Sequence, residues 1–307
     1  MTDFLIGAGG WAYFQVLGSR PLEAYVKAFN FVEVNSTFYQ IPNPRIVKSW
    51  RQRVPTNFKF AVRCHKDVTH RFQLNPCIEA LNTFTVMADI CRILNSEYMV
   101  LGTPPSLDFS RAKIESIRDF FESLNLKGIR IIWEVRRRGG EPVPSSLISL
   151  MQEYSVIHCV DLSRETAAID SNIVYTRLFG KGEHNIYQFT DEELMEIDKK
   201  IISKESDTAI ISFHNVKMYK DAARYKIYKQ TNKFSPVTKA KGKQSLREIL
   251  MEDAEFPTSK EELIYDQGWK VIDLTDYTNI HAQKLLEQLP NKQFRDIEEV
   301  MMNLRSI

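Results

Sequence analysis

The sequence predicts a (β/α)8, TIM-barrel-like domain with a small, mainly helical C-terminal module. Three observations carry that reading. Eight short β-rich runs recur in the first 214 residues, helical signals fill most of the gaps, and polar side chains gather near the C-terminal ends of the runs. Strand and helix in alternation argue for a parallel sheet covered by helices. The runner-up is a doubly wound open sheet, and the glycines that open the chain are its best support.

The runs span 3–9, 30–35, 58–65, 97–103, 129–135, 156–161, 173–179 and 207–214. The first leads into LIGAGGWAYF, where Gly7, Gly9 and Ala12 fit the dinucleotide fingerprint G-x-G-x-x-G/A and Glu33 falls where a ribose-binding acid would sit. That fit weakens in the next stretch. YFQVLGSRPLEAY carries Gly18 and Pro21, so no helix begins where a pyrophosphate needs its N-terminus, and no dinucleotide is expected. The glycines read instead as a strand end at which backbone approaches a neighbour or ligand and the turn delivers Trp11. Between the strands, apolar residues from Leu74 to Leu94 recur near a 3.6 period and predict a helix within 72–95. Ser110 is placed to cap a helix through about residue 124, 144–154 opens on Pro-Ser-Ser, and Thr190 with Glu193 forms a capping-box pattern before 191–203.

The chain of 307 residues is 43% hydrophobic and 26% charged, enough apolar material for one large α/β domain and an appendage. Its net charge of +2 means that any nucleic-acid argument rests on local clustering. No apolar run approaches the length of a membrane span, so no membrane partner is expected. Cys64, Cys77, Cys91 and Cys159 form no C-x-x-C pair, which points to a reduced, cytoplasmic protein. Past residue 215 the character changes. Lys217, Lys220, Arg224, Lys226, Lys229, Lys233, Lys239, Lys241 and Lys243 face a single Asp221 within 216–243. The expected organisation is a barrel over 1–230, a basic linker over 231–245 and the small helical module over 246–307.

The order of motifs is recognisable. GAGGWAY, FVEVNSTFYQIP, Trp50-x-x-Arg53, Pro55-x-x-FKFAVR, Thr69-His70, GTPPSLDF, IIWEVR, YTRLFGK and SFHN resemble the family called domain of unknown function 72 over residues 4–230. Its members are also described as YecE-like and sugar-isomerase-related. The resemblance implies a TIM-barrel-like fold and supplies no established reaction. This chain departs from the family pattern at Gly9 (usually Ser), Arg63 (often Lys), Phe179-Gly180 (a His-Gly pair) and His214-Asn215 (a double Asn). Residues 255–304 are similar to the small helical domain of unknown function 2795.

Barrel active sites lie where the strands end, and strand residues two apart share a face. On that rule Glu33 and Asn35, Arg63 and His65, and Glu134 and Arg136 each share a face, while Asp161, Arg177 and His214 add one residue each from strands six, seven and eight. Pointed inward, they bring three acids, three arginines, two histidines and an asparagine to one mouth. Buried charges also pair structurally, and Glu33–Arg63 or Glu134–Arg177 are pairs that would neutralise each other. As a site, the arginines suit phosphate or carboxylate, and Glu33, Glu134, Asp161 and His65 are candidates for acid/base work. Trp11, Asn35, Tyr39, Arg63, His70, Arg136, Arg177, His214 and Asn215 are candidates for binding substrate. His65 and His214 with the acids also offer ligands for a divalent metal, although no metal-binding spacing is present and nearby arginines repel a cation. Trp11, Tyr13, Phe38 and Tyr39 either stack on a sugar or base or pack as a lid. Trp50, Phe58 and Phe60 read as core between helix and strand. Cys159 shares its face with Asp161 and stays a nucleophile candidate.

The functional expectation is an enzyme acting on a small anionic, phosphate- or sugar-bearing substrate. Two alternatives stay open. Arg136-Arg137-Arg138-Gly-Gly and the Lys217–Lys243 segment could grip nucleic acid in a nuclease-like protein, or the C-terminal module could recruit a protein partner to a non-catalytic barrel.

Overall fold

The computed structural model describes residues 2–138 and 141–304. Gly139 and Gly140 of the basic loop lie outside the described residues. Elements alternate from the start as β1 (Asp3–Ala8), α1 (Pro21–Ala28), β2 (Phe31–Val34), α2 (Pro44–Gln52) and β3 (Lys59–Arg63). They continue as α3 (Ile78–Leu94), β4 (Tyr98–Thr103), α4 (Arg111–Glu122), β5 (Arg130–Val135), α5 (Ser145–Glu153) and β6 (Ile157–Cys159). The series closes with β7 (Ile173–Leu178), α6 (Asp191–Ile202), β8 (Thr208–Phe213) and α7 (Met218–Thr231). All eight expected strands are present. Every pairing is parallel, in the order β6-β5-β4-β3-β2-β1-β8-β7. A single bridge, Val160 to Thr176, joins the two ends. There the Arg177 amide donates to the Val160 carbonyl (3.2 Å), and the Thr176 hydroxyl donates to the same carbonyl (2.8 Å) and accepts from the Leu162 amide (3.2 Å), so a side chain reinforces the closure where the ladder runs out. The fold is the parallel α/β barrel, not the open sheet.

Local chemistry sets the boundaries. Asn43 caps α2 through the Arg45 amide with Pro44 as its first residue, and Asn95 ends α3 in the left-handed region. The Thr190–Glu193 capping box forms, with the Glu193 amide 3.3 Å from Thr190 Oγ1 and the Thr190 amide 3.1 Å from the Glu193 carboxylate. Ser110 occupies the N-cap of α4 without using its side chain. The helix expected from residue 72 begins only at Ile78. Pro76 disfavours helical backbone at Asn75, Gln73 and Leu74 take positive φ, and Asp67–Arg71 forms a π-helical turn instead. No described helix is long and apolar enough to cross a membrane.

Contacts divide the chain into two compact units, Met1–Leu178 with Lys200–His214 and Phe179–Lys199 with Asn215–Ile307. The first contains the eight strands. Its interior is plugged by Leu5, Phe31, Ala61, Val100, Ile132, Ile157, Tyr175 and Ile210, which form one buried apolar cluster. The second unit adds α8 (Lys243–Asp253), β9 (Thr258–Ser259), α9 (Lys260–Gln267), β10 (Val271–Asp273), β11 (Asn279–His281), α10 (Gln283–Leu286), β12 (Gln293–Phe294) and α11 (Ile297–Asn303). Here helices join two antiparallel strand pairs around Leu246, Ile249, Leu263, Ile272, Leu286 and Phe294. Residues expected as a linker are tied down within this unit. The Asp273 carboxylate accepts the amides of Val237 and Thr238, and Glu248 accepts those of Lys239 and Ala240.

Gly7 shows how closely β1 and β2 approach. A Cβ at Gly7 would lie 2.0 Å from the Phe31 carbonyl oxygen and 2.7 Å from the Tyr25 hydroxyl. That hydroxyl accepts the Ala8 amide (2.7 Å) and donates to the Phe31 carbonyl (2.9 Å), bridging the two strands. Gly7→Ala is therefore expected to destabilise the barrel by about 1–3 kcal/mol, the usual range for overpacking. Urea unfolding reads this as a lower midpoint at unchanged slope.

Candidate functional site

The strand alternation sorts the barrel interior into layers. Above the apolar plug, β2 supplies Glu33, β3 Arg63, β5 Glu134, β7 Arg177 and β8 Ser212, with Asn35 and His214 one step higher. Arg177 is the hub. Its side chain is 1% exposed, Nη2 lies 3.1 Å from Glu33 Oε1, and Nη1 pairs with Glu134 Oε2. Glu33 is fully buried and also accepts from the Tyr175 hydroxyl (2.9 Å), while His214 Nε2 stands 3.4 Å from its Oε2. Ser212 Oγ lies 2.9 Å from the same His214 nitrogen. Arg136 reaches Glu134 from the strand end at 3.2 Å.

Burial alone would push Glu33 and Glu134 toward the neutral acid. Arg177 overcomes this, helped at Glu33 by His214 and Arg63 and at Glu134 by Arg136 and Arg63, and holds both below the usual carboxylate range, Glu33 far below it. Their pKa values thus move in the same direction, and neither carboxyl is kept protonated as an acid at neutral pH. Burial and Arg177 together lower His214 against the pull of Glu33. Arg63 differs from Arg177. Its guanidinium lies over the Phe38 ring, 3.8 Å from the centroid, and Nη1 donates to Asn35 Oδ1 at 2.9 Å. Among the described residues this is its only hydrogen bond, and its buried Nε has no partner. Burial and the repulsion of Arg177 outweigh Glu33 and Glu134 there, and its pKa falls to about 10.

Glycines make the room. A Cβ at Gly102 would meet Glu134 Oε2 at 3.2 Å, and one at Gly9 would lie 2.4 Å from His214 Nδ1. The family-pattern departures at Gly9 and His214 are thereby coupled, because a serine at position 9 would collide with the imidazole.

The remaining expected residues divide. His70 joins the wall beside Arg63, its ring edge-on to Phe38 at 5.1 Å, with Tyr39 against the same ring at 5.0 Å. His65 turns onto the Asp67 loop, 3.8 Å from that carboxylate. Asp161 accepts from the Ser163 amide and hydroxyl, at 2.9 and 2.6 Å, and stands 3.8 Å from Arg164. Trp11 packs edge-on against Trp50 at 5.2 Å, while Tyr39 is 65% exposed. Asn215 belongs to the second unit, where its amide donates to the Tyr187 carbonyl and to Asp221. Cys159 is buried, and that burial pushes its thiol far up, the wrong state for a nucleophile. Tyr175, Ser212 and Gly102 were missed, whereas Phe38, expected to stack on a ligand or pack as a lid, packs against Arg63 and His70. Tyr175 and Ser212 precede Arg177 and His214 by two residues, so the same-face rule already pointed to them.

Two expected chemistries fit poorly. No group of three or more His, Cys, Asp or Glu among the described residues gathers around a point that could hold a metal. Glu33 and Glu134 are both committed to Arg177, so these residues do not fit a divalent ion. In the second unit the basic segment is largely neutralised. Lys217 and Lys220 pair with Glu252, Arg224 with Asp191 and Asp221, Lys229 with Asp198, and Lys241 with Asp276.

An eight-stranded parallel barrel with a charged inner layer at the strand ends defines a TIM-barrel protein. The chain belongs to the DUF72 family, proteins of unknown function, whose family model matches residues 5–240. It is 32% identical over 122 residues to the UPF0759 protein YecE of Escherichia coli (strain K12), a match covering 39% of this chain and 43% of that relative. The chain thus spans less than half the length of that curated relative. A DUF72 family protein from Thermotoga maritima MSB8 superposes with a TM-score of 0.61 at 18% identity, covering 74% of this chain and 99% of that one. The D-allulose 3-epimerase of a Methylomonas species shares the fold at a TM-score of 0.50 and 10% identity, over 76% of this chain and 99% of that one.

The buried hub makes two linked predictions. Arg177→Met leaves the buried Glu33 carboxylate without its guanidinium and Glu134 with Arg136 alone, and is expected to cost about 3–5 kcal/mol at pH 7. Glu33 is more acidic in the fold than in the unfolded chain. Its stabilisation is therefore full above the unfolded glutamate value of about 4.3 and is lost progressively as pH falls below it. Urea unfolding from pH 7 down to pH 3 should show the wild type losing stability across that limb and Glu33→Gln flattening it.

Proposed function

We propose that the barrel mouth is the active site of an enzyme acting on a small anionic, phosphate- or sugar-bearing substrate by acid/base chemistry. The observation that carries this is the under-paired guanidinium of Arg63. Three guanidiniums (Arg63, Arg136, Arg177) face two carboxylates (Glu33, Glu134), and the surplus positive charge falls on a side chain that bonds only Asn35. A planar cation already stripped of water gains most from a two-point contact with phosphate or carboxylate.

The roles follow from the geometry. Arg63 and the half-exposed Arg136 receive the anion. Arg177, fixed by Glu33 and Glu134, sets the potential of the floor and keeps both carboxylates ionised. Glu33, sealed beneath the mouth, is a positioning residue for Arg177. The sugar-epimerase fold likeness agrees with a carbohydrate substrate and supplies only the fold.

Calorimetric titration with sodium sulfate tests the anion site. The wild type should bind, Arg63→Gln should weaken binding at least about tenfold through loss of a charge-assisted contact, and Arg136→Gln should weaken it less. Deuterium wash-in from D2O into a panel of sugar monophosphates, followed by proton NMR, tests the chemistry. Absence of sulfate binding to the wild type sinks the reading.

A further inference from the structure

We propose that His70 is the proton-exchanging group of the barrel mouth, acting on a ligand whose anionic end rests on Arg63. This rests on the anion-site reading above and assigns the chemistry that reading leaves unplaced. The argument starts at Phe38, the last residue of the 3-10 turn Ser36–Phe38 after β2. Its ring carries the Arg63 guanidinium on one face at 3.8 Å and the His70 imidazole edge-on at 5.1 Å. One aromatic ring thus packs against both a cation and an imidazole, and the proposed ligand of a few carbon atoms lies between them.

The imidazole is set for exchange. Nδ1 lies 2.9 Å from the Thr69 hydroxyl, and Nε2 makes no hydrogen bond among the described residues. In the tautomer whose Nδ1 proton is donated to Thr69, the Nε2 lone pair is left to accept, and that tautomer is the proposed reactive one. The facing charges are Arg63 from β3 and Arg136 beyond β5. Together with partial burial they hold His70 below its ordinary pKa and hence neutral at physiological pH. On its own turn, Asp67 is paired with Arg71 at 4.0 Å and with His65.

The other titratable groups are committed. Glu33 and Glu134 are ionised on Arg177, His214 is buried within that network, and burial places the Tyr175 hydroxyl and the Cys159 thiol far above neutral. In the step itself Nε2 takes a proton from a substrate C–H or O–H bond, and the bonding pair stays on the substrate. The imidazolium then returns the proton, so no oxidant, reductant or co-reactant is consumed.

Sulfate is the test probe because its charge is constant over the relevant pH range. Ring resonances of histidine-labelled wild-type protein are followed by NMR from pH 4 to 9 with and without sodium sulfate. A bound dianion should raise the His70 midpoint by about half a pH unit or more, and by linkage sulfate should bind protonated His70 about threefold tighter or better. The shift should vanish in Arg63→Gln or shrink in Arg136→Gln. His70→Gln should still bind sulfate, without that pH dependence. Sulfate binding that depends on Arg63 while the His70 midpoint stays fixed overturns the inference and leaves the anion site standing. No sulfate binding to the wild type overturns both.

Discussion

The barrel is organised around one charge, the guanidinium of Arg177. A buried ion costs several kcal/mol unless it is answered at close range. Arg177 is answered twice, by Glu33 from β2 and by Glu134 from β5, so one side chain links three strands across the interior. The apolar plug beneath keeps water from weakening those contacts. Tyr175 and His214 then approach Glu33 Oε2, and Ser212 approaches His214 Nε2. With both carboxylates spent on Arg177, the positive charge of Arg63 is left for something else. The floor is rigid and the wall carries the unanswered cation.

Space is the second constraint. Glycines that superficially match a cofactor fingerprint serve the charged layer, Gly9 by clearing the His214 imidazole and Gly7 by letting β1 approach β2. The same chemical fact, absence of a Cβ, explains both the misleading pattern and the actual packing.

Much of the architecture was legible because parallel barrel strands are short apolar runs with polar residues at their ends. The period-2 rule placed Glu33, Arg63, Glu134 and Arg177 on one inner face, and the structure gathers them. Partner choice was not legible. Nothing in the local sequence says that Arg177 takes both glutamates, leaving Arg63 to Phe38 and Asn35. β4 (YMVLGT) has no charged residue to flag, so the role of Gly102 was invisible. The start of α3 was misplaced because apolar periodicity continued through a stretch that Pro76 and two left-handed residues exclude from the helix. Lys217 and Lys220 read as a free basic patch because Glu252, which neutralises both, lies more than thirty residues away.

The junction of β6 and β7 has a consequence for how sequence controls topology. Seven of the eight strand contacts are backbone ladders, largely indifferent to side-chain identity. The eighth is a single backbone bridge, in which the Arg177 amide donates to the Val160 carbonyl at 3.2 Å, reinforced by the Thr176 hydroxyl, which donates to the same carbonyl and accepts from the Leu162 amide. Circular continuity therefore leans on side-chain chemistry at this seam, where the backbone supplies one bridge instead of a ladder. A relative carrying an aliphatic residue at position 176 would keep every ladder yet close its ring on the lone Arg177–Val160 backbone bond, at the very seam that carries the buried guanidinium.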